Sequence, residues 1–326
     1  MSEGLSVSLF TSALLVSFVF SFIVFPPFIN LMKRLSMAQH VREDGPKEHF
    51  KKTGTPTLGG AAVLFIPALI ALILAKGDPR LCHFLIIVGM AALLGVADDI
   101  IQVRRKRPLG LKARYKFIIQ IIIGAILAWF LVGSGQAHVL EIPVVGAVSV
   151  DIYTASILAI IALVSTMNAV NLTDGLDGLS GGLCIVALVA YGTIAALNND
   201  APLVLISACL IGSCMAFLWF NFNPARIFMG DTGSLGLGAA IAVLAVFTRT
   251  ELFLPIIGGV FVLETLSVII QVIYFKLTGG KRVFKMSPIH HHYCMDGPPE
   301  HLVTVRFWLA GFFLAALGLV LYTWGG

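Results

Sequence analysis

The chain has few charged residues: Asp, Glu, Lys and Arg make up only 12% of its 326 residues. Soluble domains usually contain about a quarter charged residues, so this composition argues against a soluble globular protein. Hydrophobic residues make up 58% of the chain, and the mean hydropathy is +0.95. Continuous apolar runs of about 20 residues are long enough to cross a bilayer as helices. We therefore predict an all-α polytopic membrane protein.

The chain is also poor in cysteine and lacks the features of a cleaved leader. Its five cysteines form no CxxC pair, so they indicate neither a redox motif nor a zinc site. The first apolar stretch, 5–31, has no basic segment before it and no small-residue cleavage site after it. This pattern is typical of a retained span rather than of a secretory signal peptide.

About ten transmembrane helices are expected within a single integral-membrane domain, residues 1–326. The predicted spans are 5–31, 58–75, 83–97, 116–132, 152–170, 179–197, 202–220, 234–248, 253–276 and 306–324. Glycine-rich stretches such as 181–182 and 233–238 would let helices approach closely. Between the fourth and fifth spans, alternating residues around a glycine predict a small β-hairpin within 133–151.

The basic residues divide unequally between the two sides of the predicted bundle. Of the 22 Lys and Arg residues, 19 fall in the loops that follow odd-numbered spans. The positive-inside rule then places these loops in the cytoplasm and both termini outside, with the hairpin on the outer surface. Because the bases of this chain, whose net charge is +5, lie in short loops between spans, they indicate membrane topology and not nucleic-acid binding.

Five aspartates lie at the cytoplasmic ends of predicted spans, namely Asp98, Asp99, Asp174, Asp177 and Asp231. Ionisable groups that border membrane spans are costly and are functional candidates by default. Mg²⁺ prefers hard oxygen ligands and is commonly held by one or two carboxylates together with substrate phosphates. The pattern predicts an acidic, metal-binding pocket, although helix capping or Asx turns would also explain single members.

Other candidates are basic or polar. Lys52 precedes a turn-rich helix start that contains Thr57, which suits phosphate binding, although a lysine that only sets topology would look the same. Asn221 and Phe228 are candidates to hold a nucleobase. His290, His291 and His292 are consecutive, so they fan out and suit contact with anionic phosphates better than zinc binding; solvated loop histidines are the alternative.

These motifs resemble those of the polyprenyl-phosphate N-acetylhexosamine-1-phosphate transferase superfamily, and within it the phospho-N-acetylmuramoyl-pentapeptide transferases. The matching segments are 52–60, 95–99, 168–178, 228–234 and 287–292. The resemblance covers nearly the whole chain. One departure is that Asp99 is followed by Ile100 where the family often has tyrosine and, shortly after it, lysine; this leaves the roles of Lys106 and Lys112 open.

The resemblance implies an enzyme of the bacterial inner membrane whose active site faces the cytoplasm. It would transfer phospho-N-acetylmuramoyl-pentapeptide from UDP-MurNAc-pentapeptide to undecaprenyl phosphate, giving lipid I and UMP, with Mg²⁺ as cofactor. Membrane lipids would surround it, and a homodimer is an expectation for the family.

The resemblance also suggests residue roles. The catalytic residues would be Asp98, Asp99, Asp231, His290 and His291. Asp231 and Asn171 would be the metal ligands. Substrate would be bound by Lys52, Thr57, Asn171, Asp174, Asp177, Asn221, Phe228 and His292. A one-step transfer and a two-step route through an aspartyl intermediate both remain open, as do a relative that uses another UDP-N-acetylhexosamine and a secondary transporter.

Overall fold

The computed structural model of the chain describes residues 3–38, 54–74, 77–105, 110–133, 139–295 and 297–325, with the side chains of 3–7 left out. Lys52 and Lys106 lie outside the described residues. The helices and strands are, in order, α1 Glu3–Arg34, α2 Gly59–Leu74, α3 Pro79–Arg105, α4 Ala113–Gly133, β1 Val139–Ile142, β2 Gly146–Ser149, α5 Ile152–Thr173, α6 Leu179–Leu197, α7 Ala201–Asn221, α8 Gly230–Phe247, α9 Leu254–Ile257, α10 Gly259–Leu277, α11 Ile289–Cys294 and α12 Glu300–Gly325.

The all-α membrane fold is confirmed. Within the described ranges, nine helices are long and apolar enough to cross a bilayer, and α2 is a shorter apolar helix of 16 residues. The predicted span 253–276 is wrong in detail: Gly258 separates the short α9 from α10, and a 3-10 turn, Glu251–Phe253, precedes them. Large apolar side chains such as Phe65, Trp129 and Phe313 are about two-thirds exposed, as expected of a surface that faces lipid.

The centre of the bundle is α8, which packs against α2, α3, α5 and α6. In its most apolar 18-residue stretch 89% of the residues are buried, against 22% in α1. Small residues permit this packing, as the glycine-rich sequence predicts: a Cβ on Gly60 of α2 would lie 2.0 Å from the Cα of Gly233 of α8. The same close approach recurs where Gly95 of α3 lies against the backbone of Asp231.

The predicted hairpin is present. Strands β1 and β2 pair antiparallel, with Val139 opposite Ser149 and Ile142 opposite Gly146. The backbone nitrogen of Glu141 donates to the carbonyl of Arg249, which joins the hairpin to the end of α8. We call this the hairpin end of the bundle. The opposite end, which carries the five aspartates, is called the aspartate end.

Candidate active site

At the aspartate end, the start of α8 is joined to α3 by Asp99. The Asp99 carboxylate accepts hydrogen bonds from the backbone nitrogens of Asp231 (2.9 Å) and Thr232 (3.0 Å) and from the Thr232 hydroxyl (2.7 Å). These donors belong to the first turn of a helix, whose backbone N–H groups have no partner within the helix. Asp99 therefore fixes the position of Asp231, and both of its oxygens are used in doing so.

Lys116, in the first turn of α4, lies between two of the predicted catalytic aspartates. Its Nζ contacts Oδ2 of Asp231 directly and lies 3.8 Å from Oδ2 of Asp98. The second oxygen of Asp231 accepts a 2.8 Å hydrogen bond from Nδ2 of Asn171, which also donates to Ser234. The structure thus brings Asp98 and Asp231 to a single ammonium group, with Asn171 bonded to the other oxygen of Asp231.

Asp98 is itself firmly held. This residue of α3 is 2% exposed. Oδ2 accepts a hydrogen bond from Gln102 one helical turn further on (2.6 Å), and Oδ1 accepts one from the backbone nitrogen of Leu111 (2.8 Å). The two neighbouring aspartates of α3 therefore do different work, as their angular separation on a helix predicts: Asp99 holds α8, and Asp98 holds the segment before α4.

Asp174 and Asp177 lie in a turn between α5 and α6, not on a common helical face. Asp177 is buried, and its Oδ2 accepts from the backbone nitrogen of Ala225 and from Asn223. The Asp174 carboxylate makes no such contact with any residue that the structure describes. Burial, and then the charges of Asp231, Asp99 and Asp177, raise the pKa of Asp174 to about 8. Four carboxylates thus act on one another at this end of the bundle.

Asn221 and Phe228, the candidates to hold a nucleobase, form hydrogen bonds that hold separate segments of the chain together. Asn221 is 5% exposed; it accepts from the backbone nitrogen of Gly178 and donates to the carbonyl of Ile227. Phe228 is half-buried, and its backbone pairs with Pro56 and Gly59 at the start of α2. Both the oxygen and the nitrogen of the Asn221 amide already bond to the backbone, so the prediction that it binds a base finds no support in its contacts.

Thr57 is buried beside Gly230, where a Cβ would lie 2.7 Å from its Oγ1 and 2.6 Å from Oδ2 of Asp99. The Thr57 hydroxyl has no hydrogen-bond partner in the described part of the chain. A buried donor without a partner is costly, so Thr57 is a reasonable candidate to meet a ligand.

The three consecutive histidines lie on α11 and do point in different directions. His290 is fully buried, and its Nδ1 lies 3.0 Å from Oε2 of Glu264, also fully buried, on α10. Its Nε2 faces Gly175, where a Cβ would lie only 2.3 Å away. His291 packs edge-on against the His290 ring, and His292 accepts a hydrogen bond from the backbone nitrogen of Lys285. In this position the His290 ring packs against Gly175, in the turn that carries Asp174.

Comparison with known proteins identifies relatives of the chain. Residues 81–249, which include all five aspartates, match the family described as Glycosyl transferase family 4. The chain is 45% identical over 315 residues to the phospho-N-acetylmuramoyl-pentapeptide-transferase of Moorella thermoacetica, covering 95% of this chain and 98% of that relative. The proteins of the same name from Bacillus thuringiensis and Bacillus cytotoxicus are equally similar, with 96% of each covered.

The chain belongs to glycosyl transferase family 4. Within that family it groups with the phospho-N-acetylmuramoyl-pentapeptide-transferases, and it is an enzyme. The family match ends before Glu264 and α11, whereas the similarity to the transferases extends over nearly the whole chain. A secondary transporter is therefore no longer a candidate.

The residues at the aspartate end fit a divalent cation. Within the described ranges, no three His, Cys, Asp or Glu side chains are arranged to hold one metal ion. Mg²⁺ does not need three, since one or two carboxylates plus phosphate oxygens suffice. Asp98 and Asp231 already share one cation, the Lys116 ammonium. Asn171 turns its amide nitrogen toward Asp231, so its oxygen would have to turn before it could bind metal.

Two residues that contact the predicted site residues, Lys116 and Glu264, are not themselves among those predicted from the sequence. Lys116 counts in the sequence only toward the bases that set topology, although it is the first residue of the predicted span 116–132. Glu264 is the only acid within the predicted span 253–276. A lone carboxylate in such a span is a functional candidate by the same rule that identified the aspartates.

Proposed function

We propose that this enzyme transfers phospho-N-acetylmuramoyl-pentapeptide from UDP-MurNAc-pentapeptide to undecaprenyl phosphate, with lipid I and UMP as products. A phosphate oxygen of the lipid forms a bond to the phosphorus next to the sugar, and the bond from that phosphorus to the UMP oxygen breaks. The names of the relatives support the donor, and the apolar bundle supports an acceptor whose tail stays in lipid. This would be the first membrane step of peptidoglycan synthesis.

The observation that carries the proposal is the position of Lys116 between Asp98 and Asp231. Both substrates are anionic, so their approach is unfavourable until their charge is neutralised. An ammonium held by two carboxylates is oriented in advance and can pass to phosphate oxygens without large rearrangement. Asp99 keeps Asp231 in place, and Thr57 offers a hydroxyl to the same space.

Mg²⁺ is proposed as the cofactor, held by Asp231 with Asp98 nearby, and it would neutralise phosphate charge when bound. The excess of carboxylates over bases among the described residues at this site supports it. Removal of Mg²⁺ by EDTA should abolish UMP release, and added Mg²⁺ should restore it. In Asp231→Ala turnover should fall by orders of magnitude, and the remaining activity should respond only weakly to Mg²⁺.

The site is proposed to face the cytoplasm of the bacterial inner membrane. The donor is a soluble cytoplasmic sugar nucleotide, so it can meet a membrane-bound acceptor only at the inner interface. The concentration of Lys and Arg in the loops on the aspartate side supports this orientation.

A donor panel tests the function directly. The purified enzyme is incubated with undecaprenyl phosphate and either UDP-MurNAc-pentapeptide or UDP-N-acetylglucosamine, and release of UMP and formation of the lipid product are measured. UMP release is expected with UDP-MurNAc-pentapeptide and not with UDP-N-acetylglucosamine. A preference for the second donor would replace the proposed substrate by another UDP-N-acetylhexosamine. A phospho-enzyme trapped with donor alone would indicate the two-step route, whereas UMP that appears only with lipid phosphate would favour one step.

A further inference from the structure

A polar cavity lies at the hairpin end, on the opposite side of the bundle from the aspartates. Its volume is about 380 Å³, and we call it the hairpin-end cavity. The end of α8, the starts of α3 and α5 and strand β1 all contribute to its wall. Its charged or titratable lining residues are Arg80, His83, Glu141, Asp200, Arg249, Glu251 and Tyr322.

Much of this wall is fixed by internal contacts. Arg80 and Asp200 form a two-pronged ion pair, with distances of 2.5 Å from NH1 to Oδ2 and 3.2 Å from NH2 to Oδ1. The Tyr322 hydroxyl donates to Oδ1 of Asn198 at 2.8 Å. The His83 ring stacks on Phe130 with centroids 4.0 Å apart. The cavity is therefore bounded by groups already held in place, as a preformed binding site requires.

On the side of the cavity formed by Glu251, buried polar atoms lack hydrogen-bond partners among the described residues. Oε2 of Glu251 is buried and has no hydrogen-bond partner among the residues that the structure describes. The hydroxyl of Tyr191, a completely buried side chain, is in the same condition and lies close enough to Glu251 to interact with its charge. Buried polar groups are nearly always paired, so two neighbouring exceptions call for a ligand.

The charges of the wall indicate which ligand. The Arg80–Asp200 pair is neutral, and of the remaining charged residues Glu141 and Glu251 outnumber Arg249 by one. A single positive charge balances this wall. Over the described ranges no set of acids, histidines or cysteines is arranged for a metal ion, and the cavity has room for several non-hydrogen atoms. An organic cation with N–H donors fits these conditions better than a metal.

We propose that the hairpin-end cavity binds the primary ammonium group of a small organic amine, with the Glu251 carboxylate as its acceptor. Two sources have this chemistry, the ethanolamine headgroup of a phospholipid and a free amine in the aqueous phase on that side. The site is separate from the proposed catalysis and does not depend on it.

The protonation of Glu251 gives the site a pH dependence. Burial raises the pKa of Glu251 to about 7, and the charge of Arg249 opposes that rise. Only the ionised carboxylate attracts an ammonium, so amine affinity should fall as pH drops below about 7. The groups that face Glu251 across the cavity are Arg80, His83, Glu141, Asp200, Arg249 and Tyr322, and Tyr191 lies close to it.

The test uses the full-length protein in nanodiscs of phosphatidylglycerol. One arm adds phosphatidylethanolamine, a second adds free ethanolamine and a third adds choline, which has no N–H donor. Bound amine is detected by native mass spectrometry and by the midpoint of thermal unfolding. We expect at least one primary amine to be retained and to raise the midpoint by about 3 °C or more at saturation, with choline inactive. The arm that responds identifies the source.

Glu251→Gln should abolish both the retention of amine and the rise in the unfolding midpoint, whereas Asp151→Asn should show both as the wild type does. Asp151 is an exposed helix cap at the same end, so its replacement removes the same charge from outside the cavity. Wild-type affinity should fall about tenfold between pH 8 and pH 6, a measurement that stays informative even if Glu251→Gln does not fold. Retention of no amine, equal binding of choline, an unchanged Glu251→Gln response or an absent pH effect would each overturn the proposal.

Discussion

At the scale of single residues, Lys116 is the side chain on which the proposed chemistry depends most. Lys116→Met keeps much of the apolar stem but removes the ammonium that Asp98 and Asp231 share. Turnover should fall by about 100-fold or more, since the phosphates lose a preorganised positive charge. UMP release by the purified variant measures this.

Lys112→Met is the matched control for that variant. Lys112 lies four residues earlier in the same segment, and its side chain is exposed. It should retain near-normal activity. A fully active Lys116→Met enzyme, or equal losses in both variants, would assign Lys116 to topology alone.

The raised pKa of Asp174 is expected to lower the stability of the folded protein at neutral and higher pH. Its pKa is raised from 3.8 to about 8, so the folded protein keeps it protonated where the unfolded chain ionises it. The free energy of unfolding should therefore decrease as pH rises from about 4 to about 8 and then level off. In ligand-free protein, Asp174→Asn should remove this dependence and raise the midpoint of thermal unfolding at pH 8.

The exposed Asp151 is the control, because its pKa is lowered by hydrogen bonds from Thr154. Asp151→Asn should bring no gain at pH 8. An Asp174→Asn protein that unfolds at a lower temperature than wild type at that pH would show that the carboxylate is stabilising and would contradict the expected direction.

At the scale of elements, the crossing of α2 and α8 sets the geometry of the aspartate end. Gly60→Ala would place a methyl group 2.0 Å from the Cα of Gly233, so the backbones must separate. We expect a loss of about 1–3 kcal/mol in the free energy of unfolding, together with lower activity, because α8 carries Asp231. Gly89→Ala in α3 meets nothing within 4 Å and should be neutral in both assays. Equal stability of the two variants would contradict this account of the crossing.

The contact between α10 and α11 gives a second prediction at this scale. Glu264→Ala removes the partner of Nδ1 of His290 and frees the ring that supports Gly175. If the pair acts as a unit, Glu264→Ala and His290→Ala should each lower turnover, and the double variant should be no worse than His290→Ala alone. Glu264→Gln, which keeps an acceptor oxygen, should recover part of the activity. Additive losses in the double variant would mean that the two residues act separately.

The sequence predicted some of these elements well and others poorly. Apolar runs identified the long helices, and the alternation around Gly146 identified the hairpin, because both patterns follow from burial. The break at Gly258 lies inside a continuous apolar run, so hydropathy alone does not show it. Likewise the residue types of Asp99 and Asn221 indicated a polar site, but only the packing shows that their oxygens and amide are used to hold the backbone.

At the scale of the whole molecule, the two ends of the bundle differ in kind. At the aspartate end, carboxylates from α3, α8 and the α5–α6 turn act on one another and two of them contact Lys116, whereas the hairpin end has a separate polar cavity. Spacing along the sequence predicted that the acids share one side, since alternate loops must lie together. It did not predict their partners, because Lys116 and Glu264 come from helices whose contacts depend on the three-dimensional packing.

The orientation of the molecule yields the last prediction. The proposed donor is water-soluble, so it reaches the aspartate end only from the side on which that end opens. Inside-out membrane vesicles that contain the protein should release UMP from added UDP-MurNAc-pentapeptide, whereas sealed right-side-out vesicles should release almost none. Permeabilising the right-side-out vesicles should restore activity, which controls for the amount of enzyme. If sealed right-side-out vesicles were as active as inside-out ones, the aspartate end would face the outer side, and the assignment made from the distribution of Lys and Arg would have to be reversed.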